Sequence, residues 1–214
     1  MIKKTLALAL CIPLSACSTF HASEIPIPPL VEEHVEEVTE PKPFHELIEP
    51  LANLIAKGEG DWNAVNRGWA GDTPGGIQRL TGKTFENFTV GQVMDMQRRW
   101  LYAVGRYQFV PRTLRFAVAH SDVNRLHMFT PETQNKLFAA LIIHKRPGIY
   151  RYIVGQHNSL NYALRELAKE WASVEYFGYG RGRGYYNHVG GNRAHVTWRQ
   201  AAHVLNQVRD SYPG

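Results

Sequence analysis

A single carboxylate, Glu59, stands between two glycines in "LIAKGEGDW" (54–62), directly after an apolar, helix-like run. The negative end of a helix dipole disfavours an acid at that position, so a solvated helix end is a poor explanation for it. A rigidly held carboxyl group that exchanges a proton with a reacting oxygen is a better one. A second constellation, "AVGRYQFVP" (103–111), places a turn-forming Gly105 before Tyr107 and Gln108, an aromatic edge and an amide that both donates and accepts. A third, "GYGRGRGYYNHVGGNR" (178–193), interleaves Arg and Tyr with Gly. Tyr179 is its leading contact residue, with Arg181 and Arg183 suited to carboxylates.

The elements that must position these groups are mostly helical. Thr89-Val-Gly-Gln92 and Thr197-Trp-Arg-Gln200 are capping boxes that open helices near 90–102 and 198–210. Pro111 and Pro131 stand where a first-turn proline belongs. Leu160, Ala163, Leu164, Leu167, Ala168 and Trp171 form a helical stripe over three turns. Pro50 must lie in a first turn or at a kink of the helix that carries Leu51, Leu54 and Ile55. Gly- and Pro-punctuated short segments over 64–85 predict a β-hairpin. The fold class expected is mainly α with a small β-hairpin lobe (α+β), the two lobes flanking a cleft with Glu59 on its wall.

Several local motifs occur in one order: Gly58-Glu59-Gly60, "GRYQF" (105–109), "FTPETQ" (129–134), "WAS" (171–173) and "GYG" (178–180). In this order they resemble the endolysin family of phage lambda, lysozyme-fold proteins that cleave the glycan of peptidoglycan. The resemblance covers about residues 47–195. It implies Glu59 as the catalytic acid, Gln108 beside it on the sugar, and a route without a second carboxylate. In that route the C6 hydroxyl of N-acetylmuramic acid attacks its own anomeric carbon and leaves a 1,6-anhydro end. A hydrolytic muramidase would instead need a second acid. Asp61, Asp72, Asp95, Glu132 and Glu175 are the acids to weigh, and Asp72, in "DTPGG", is already explained as a turn former. A non-catalytic peptidoglycan-binding module of an envelope assembly is the alternative outside enzymology.

The N-terminus reads as an export signal. Lys3 and Lys4 precede a short apolar run, Leu6 to Leu14, and then Leu14-Ser15-Ala16-Cys17. This tetrapeptide resembles the lipobox of bacterial lipoproteins, which implies cleavage after residue 16 and lipidation of Cys17. Ser18 in the next position implies the outer membrane, facing the periplasm. The only other cysteine, Cys11, lies inside the signal, so no thiol pair remains for a disulfide. Residues 17–43 carry five prolines and six glutamates, the composition of an extended spacer. The domain expected over 44–214 then keeps 21 basic and 13 acidic residues, a net charge of +8, and an anionic partner suits it.

Other classes fit less well. No G-x-G-x-x-G or G-K-[ST] phosphate loop occurs, and export argues against nucleic acid as the partner of the Arg/Tyr-rich run. None of the ten histidines forms H-E-x-x-H, so neither a metal nor another cofactor is expected. His144 is read as a core residue on the apolar face of its helix.

Overall fold

Helix boundaries follow the local chemistry closely. The computed structural model describes residues 42–68, 73–189 and 192–213. The expected signal peptide, Cys17 and the spacer up to residue 41 lie outside the described residues, as does Asp72. A short helix α1 (Phe44–Leu47) leads into α2 (Glu49–Glu59), which carries Pro50 in its first turn. The strand β1 (Val65–Asn66), α3 (Gly76–Thr81) and a 3-10 turn at Phe85–Asn87 follow. Next come α4 (Val90–Arg99), the strand β2 (Ala103–Val104), α5 (Pro111–Ala119) and α6 (Pro131–Ala140). The chain continues through a π-turn (Leu141–Lys145), α7 (Pro147–Ile153) and α8 (Leu160–Glu170) to α9 (Trp198–Asp210).

Both capping boxes are present in full. Thr89 accepts from the Gln92 N–H while the Gln92 side chain accepts from the Thr89 N–H, and Thr197 and Gln200 do the same at α9. Pro111 and Pro131 open α5 and α6, where their missing N–H leaves no hydrogen bond unmade.

The strand pairing differs from the expected local hairpin. β1 pairs antiparallel with β2, Val65 opposite Val104 and Asn66 opposite Ala103, and residues 76–81 within the expected hairpin are helical. The Gly and Pro signals over 73–82 mark the ends of α3 rather than hairpin turns. The structure is therefore mostly helical with a small two-stranded antiparallel sheet.

His144 is also placed differently. The π-turn closes with the Arg146 N–H on the Leu141 carbonyl, five residues back. That wider turn takes His144 off the apolar stripe and leaves it exposed.

The core runs from α2 through α6 to α8 and α9, and includes Leu51, Ile55, Phe109, Leu137, Phe138, Leu167 and Leu205. α2 packs on α9, and α7 on α8. A buried ion cluster ties the π-turn to the end of α8. Arg146 Nε lies 2.8 Å from Glu170 Oε2, Lys145 pairs with Glu170 Oε1, and Arg146 also reaches Glu166. The Glu170 side chain is almost fully buried, so removing both of its cationic partners would strand a charge. The cluster fixes the point from which the chain leaves α8 into Trp171-Ala172-Ser173.

Candidate active site

Glu59 is the last residue of α2, and Gly60 caps the helix with its N–H on the Ala56 carbonyl. Its Oε1 accepts the backbone N–H of Ser173 at 3.2 Å. The glycine before it has a structural reason. A Cβ on Gly58 would lie 2.4 Å from Ser173 Cβ and 2.7 Å from Ser173 Oγ, so only glycine lets the 171–175 segment come this close to α2. Ser173 is buried and its carbonyl accepts the N–H groups of His195 and Val196 at 2.7 and 2.9 Å. Among the described residues its hydroxyl has no hydrogen-bond partner. An unmade bond of that kind costs about 1–3 kcal/mol.

The segment after Glu59 is held by the "GRYQF" turn. The Gly105 N–H donates to the Ala64 carbonyl, and Arg106 stacks its guanidinium 4.2 Å from the Trp62 ring centre while donating to Asn53 Oδ1 of α2. Gln134, in "FTPETQ", joins these pieces from within α6. Fully buried, it accepts the Arg106 N–H at 2.9 Å and donates to the carbonyls of Trp62 and Phe129. Gly105 has φ +74°, and a Cβ there would meet Gln134 Oε1 at 2.4 Å, so this position also requires glycine. A row of rings backs the arrangement: Trp62 against Tyr107 at 6.3 Å, Tyr107 against Phe138 at 4.4 Å and Phe138 against Trp171 at 5.0 Å. Four segments that are distant in sequence thus meet around the end of α2.

The sequence-derived site residues divide accordingly. Gln108 is half-buried and adopts φ +48°, the only positive φ outside glycine among the described residues. Its side chain donates to the Gly105 carbonyl at 2.9 Å. A non-glycine residue in this region is strained, and such strain concentrates at functional positions. Tyr107 requires correction as a substrate contact. It is 2% exposed, stacks on Phe138 and donates its hydroxyl to Asn135 Oδ1, so its ring is core. Burial pushes its phenol up to about 12.

Tyr179 is 53% exposed. It shares with Arg183, Tyr185 and His188 the lining of an open depression of about 470 Å³. Glu175 anchors this loop to the site, its carboxylate accepting the N–H groups of Gly182 at 2.6 Å and of Trp198 at 3.1 Å.

The described acids weighed as a second carboxylate are engaged elsewhere. Asp95 pairs with Arg98 and Arg125, and the Arg125 hydrogen bond holds its carboxyl below the usual range. Glu132 pairs with Lys136, and Asp61 closes a turn on the Asn63 N–H. Among the described residues no group of three or more His, Cys, Asp or Glu could hold a metal ion, and no helix is long and apolar enough to cross a membrane.

No family model, curated protein or solved structure matches the chain.

Sequence reasoning alone did not find Gln134 and Ser173 as members of the site. Gln134 lies inside "FTPETQ" and Ser173 inside "WAS", so the motifs marked the segments. What each residue does depends on partners 28 and 114 positions away.

Proposed function

We propose that this protein cleaves the β-1,4 bond between N-acetylmuramic acid and N-acetylglucosamine in peptidoglycan, as a lytic transglycosylase. Glu59 gives its proton to the glycosidic oxygen as the bond to the anomeric carbon breaks. The C6 hydroxyl of the same N-acetylmuramic acid attacks that carbon, and the Glu59 carboxylate takes the hydroxyl proton. One new end is a free 4-hydroxyl and the other a 1,6-anhydro sugar, and Glu59 is returned to its starting form. A lysozyme-like arrangement of two lobes around the glycan belongs to this proposal. So does a periplasm-facing lipoprotein anchored in the outer membrane through Cys17.

The observation that carries the reading is the convergence on Glu59. A lone acid at a helix end that disfavours it is held by the Ser173 N–H, with the strained Gln108 turn fixed against the following segment by Gln134. Among the described residues the acids weighed for a second role, Asp61, Asp95, Glu132 and Glu175, are each engaged, which favours the anhydro route over hydrolysis, while Asp72 lies outside the described residues. Gln108 is the amide offered to the sugar, and Tyr179 an exposed ring on which a pyranose can stack. Mass analysis of muropeptides from purified peptidoglycan tests the route. The proposal expects anhydro ends, each lighter by one water than a hydrolysed end. Reducing ends alone would replace the transglycosylase with a muramidase.

A further inference from the structure

The loop that follows Ser173 presents an arginine and has no acid left over to pair with it. Over residues 172–198 three arginines and two histidines stand against one acid, Glu175. Glu175 is buried, and its two oxygens are taken by the N–H groups of Gly182 and Trp198. Arg183 has its backbone fixed on both sides. Its N–H donates to the Gly180 carbonyl at 3.1 Å, and its carbonyl accepts the Tyr176 N–H at 3.0 Å. The side chain is exposed, and among the described residues its guanidinium has neither an ion pair nor a hydrogen bond.

The depression that Arg183 lines rests on the segment that holds Glu59. Gly184, another of its lining residues, is buried, and a Cβ there would lie 2.9 Å from the Ala172 carbonyl oxygen and 3.2 Å from that of Val174. Those two residues flank Ser173, whose N–H donates to Glu59. The rest of the lining is Tyr179, Tyr185, Asn187 and His188: two rings, an amide and an imidazole, with no acid. Tyr176 packs against both rings, at 4.5 Å from Tyr179 and 5.5 Å from Tyr185 between centres, so the aromatic wall is supported from within the loop.

A guanidinium offers its donors in a planar fork that matches a carboxylate. The sugar rings of peptidoglycan carry no charge. Its carboxylates hang from the lactyl group of N-acetylmuramic acid, as those of the stem peptide or, where the stem has been removed, as the lactyl carboxylate itself. We infer that Arg183 and its depression bind a carboxylate on the lactyl side of N-acetylmuramic acid while the glycan lies along Glu59. The protein then selects acid-bearing glycan over a neutral β-1,4 glycan. This rests on the proposed reading of peptidoglycan as the substrate.

The test is the affinity of Glu59→Gln protein, with and without Arg183→Gln, for three soluble glycan strands. The first carries its stem peptides, the second has been stripped of them by an amidase, and the third is the stripped strand with its lactyl carboxylates converted to methylamides. Arg183→Gln should weaken binding of an acid-bearing strand about five- to tenfold and leave the methylamide strand unchanged. The difference should shrink as salt is raised. Arg183→Lys keeps the charge without the fork and should fall between the two. A loss on the first strand alone assigns the stem peptide's carboxylate, a loss on the second alone assigns the lactyl carboxylate, and a loss on both shows a site that takes either. Arg115→Gln, which removes an exposed charge on α5, should bind every strand as before. Unchanged affinities in Arg183→Gln, an equal loss on the methylamide strand, or an equal loss in Arg115→Gln would each overturn the inference. Those results leave the proposed function standing, whereas a protein that binds none of the strands would remove both. If Glu59→Gln still cleaves, the proposed reaction is refuted, and the same ratios are then read in kcat/KM.

Discussion

The Ser173 N–H meets Glu59 Oε1 at 3.2 Å across 114 positions of sequence. This contact joins the end of α2 to the segment leaving α8, and it exists because Gly58 has no side chain. Gly58→Ala should therefore force the two segments apart. Overpacking of this kind costs about 1–3 kcal/mol, to be read as a lower urea midpoint at unchanged slope. Glycan cleavage should fall with it. An unchanged midpoint would show that the 2.4 Å approach is relieved at no cost.

Gln134 holds the "GRYQF" turn and the Trp62 segment to each other. Gln134→Leu keeps most of the volume but leaves the Arg106 N–H and the carbonyls of Trp62 and Phe129 without their partner. A loss of roughly 3–6 kcal/mol is expected from three unmet groups. Calorimetry would check it, and a loss within experimental error would show that other groups or water take over the bonds.

Gln108 is strained at φ +48°, where glycine is at ease. Gln108→Gly should leave stability within about 1 kcal/mol of the original, relief of strain offsetting the added chain entropy. Activity on peptidoglycan should nonetheless fall, because the amide offered to the sugar is gone. Retention of full activity would reduce Gln108 to a turn residue.

Tyr107 gives a pH signature. Its folded phenol ionises near 12 against about 10 in an unfolded chain, so its contribution to stability is complete below pH 10 and is lost as pH rises to 12. The loss is on the order of 2–3 kcal/mol. Tyr107→Phe keeps the stacking on Phe138, and its stability should decline less steeply over that window in denaturant titrations at stepped pH. Equal declines would place the pH-sensitive group elsewhere. Because the ring is core, a folded Tyr107→Phe protein should retain cleavage activity.

Local chemistry was the legible part of the sequence. Thr89 and Thr197 open helices by bonds made within three residues, and Pro111 and Pro131 act through their own missing N–H. These signals give α4, α5, α6 and α9 their correct starts. What was misread depends on partners far along the chain. Val65–Asn66 has strand chemistry, but its partner is Ala103–Val104 rather than a neighbour across a turn. Tyr107 has the chemistry of a sugar contact, but Phe138 and Asn135, on a helix some thirty residues later, hold it inside. His144 fits a 3.6-residue stripe until the π-turn shifts it. For the candidate site, Glu59 stood out in the sequence as an acid at a helix end and Gln108 as an amide in the "GRYQF" motif, whereas the left-handed backbone of Gln108 appears only in the structure. The Ser173 hydroxyl follows every local rule, and its oddity appears only once its surroundings are known.

The central claim is that Glu59 moves the proton. Its most direct measurement is cleavage of purified peptidoglycan by Glu59→Gln, with binding to the same glycan and thermal stability measured in parallel. The amide nearly matches the carboxyl in shape and can still accept the Ser173 N–H, but it has no acid proton to give. Cleavage should fall at least about 10²-fold while binding and melting temperature are preserved. A stable Glu59→Gln protein that cleaves at the original rate would contradict the account.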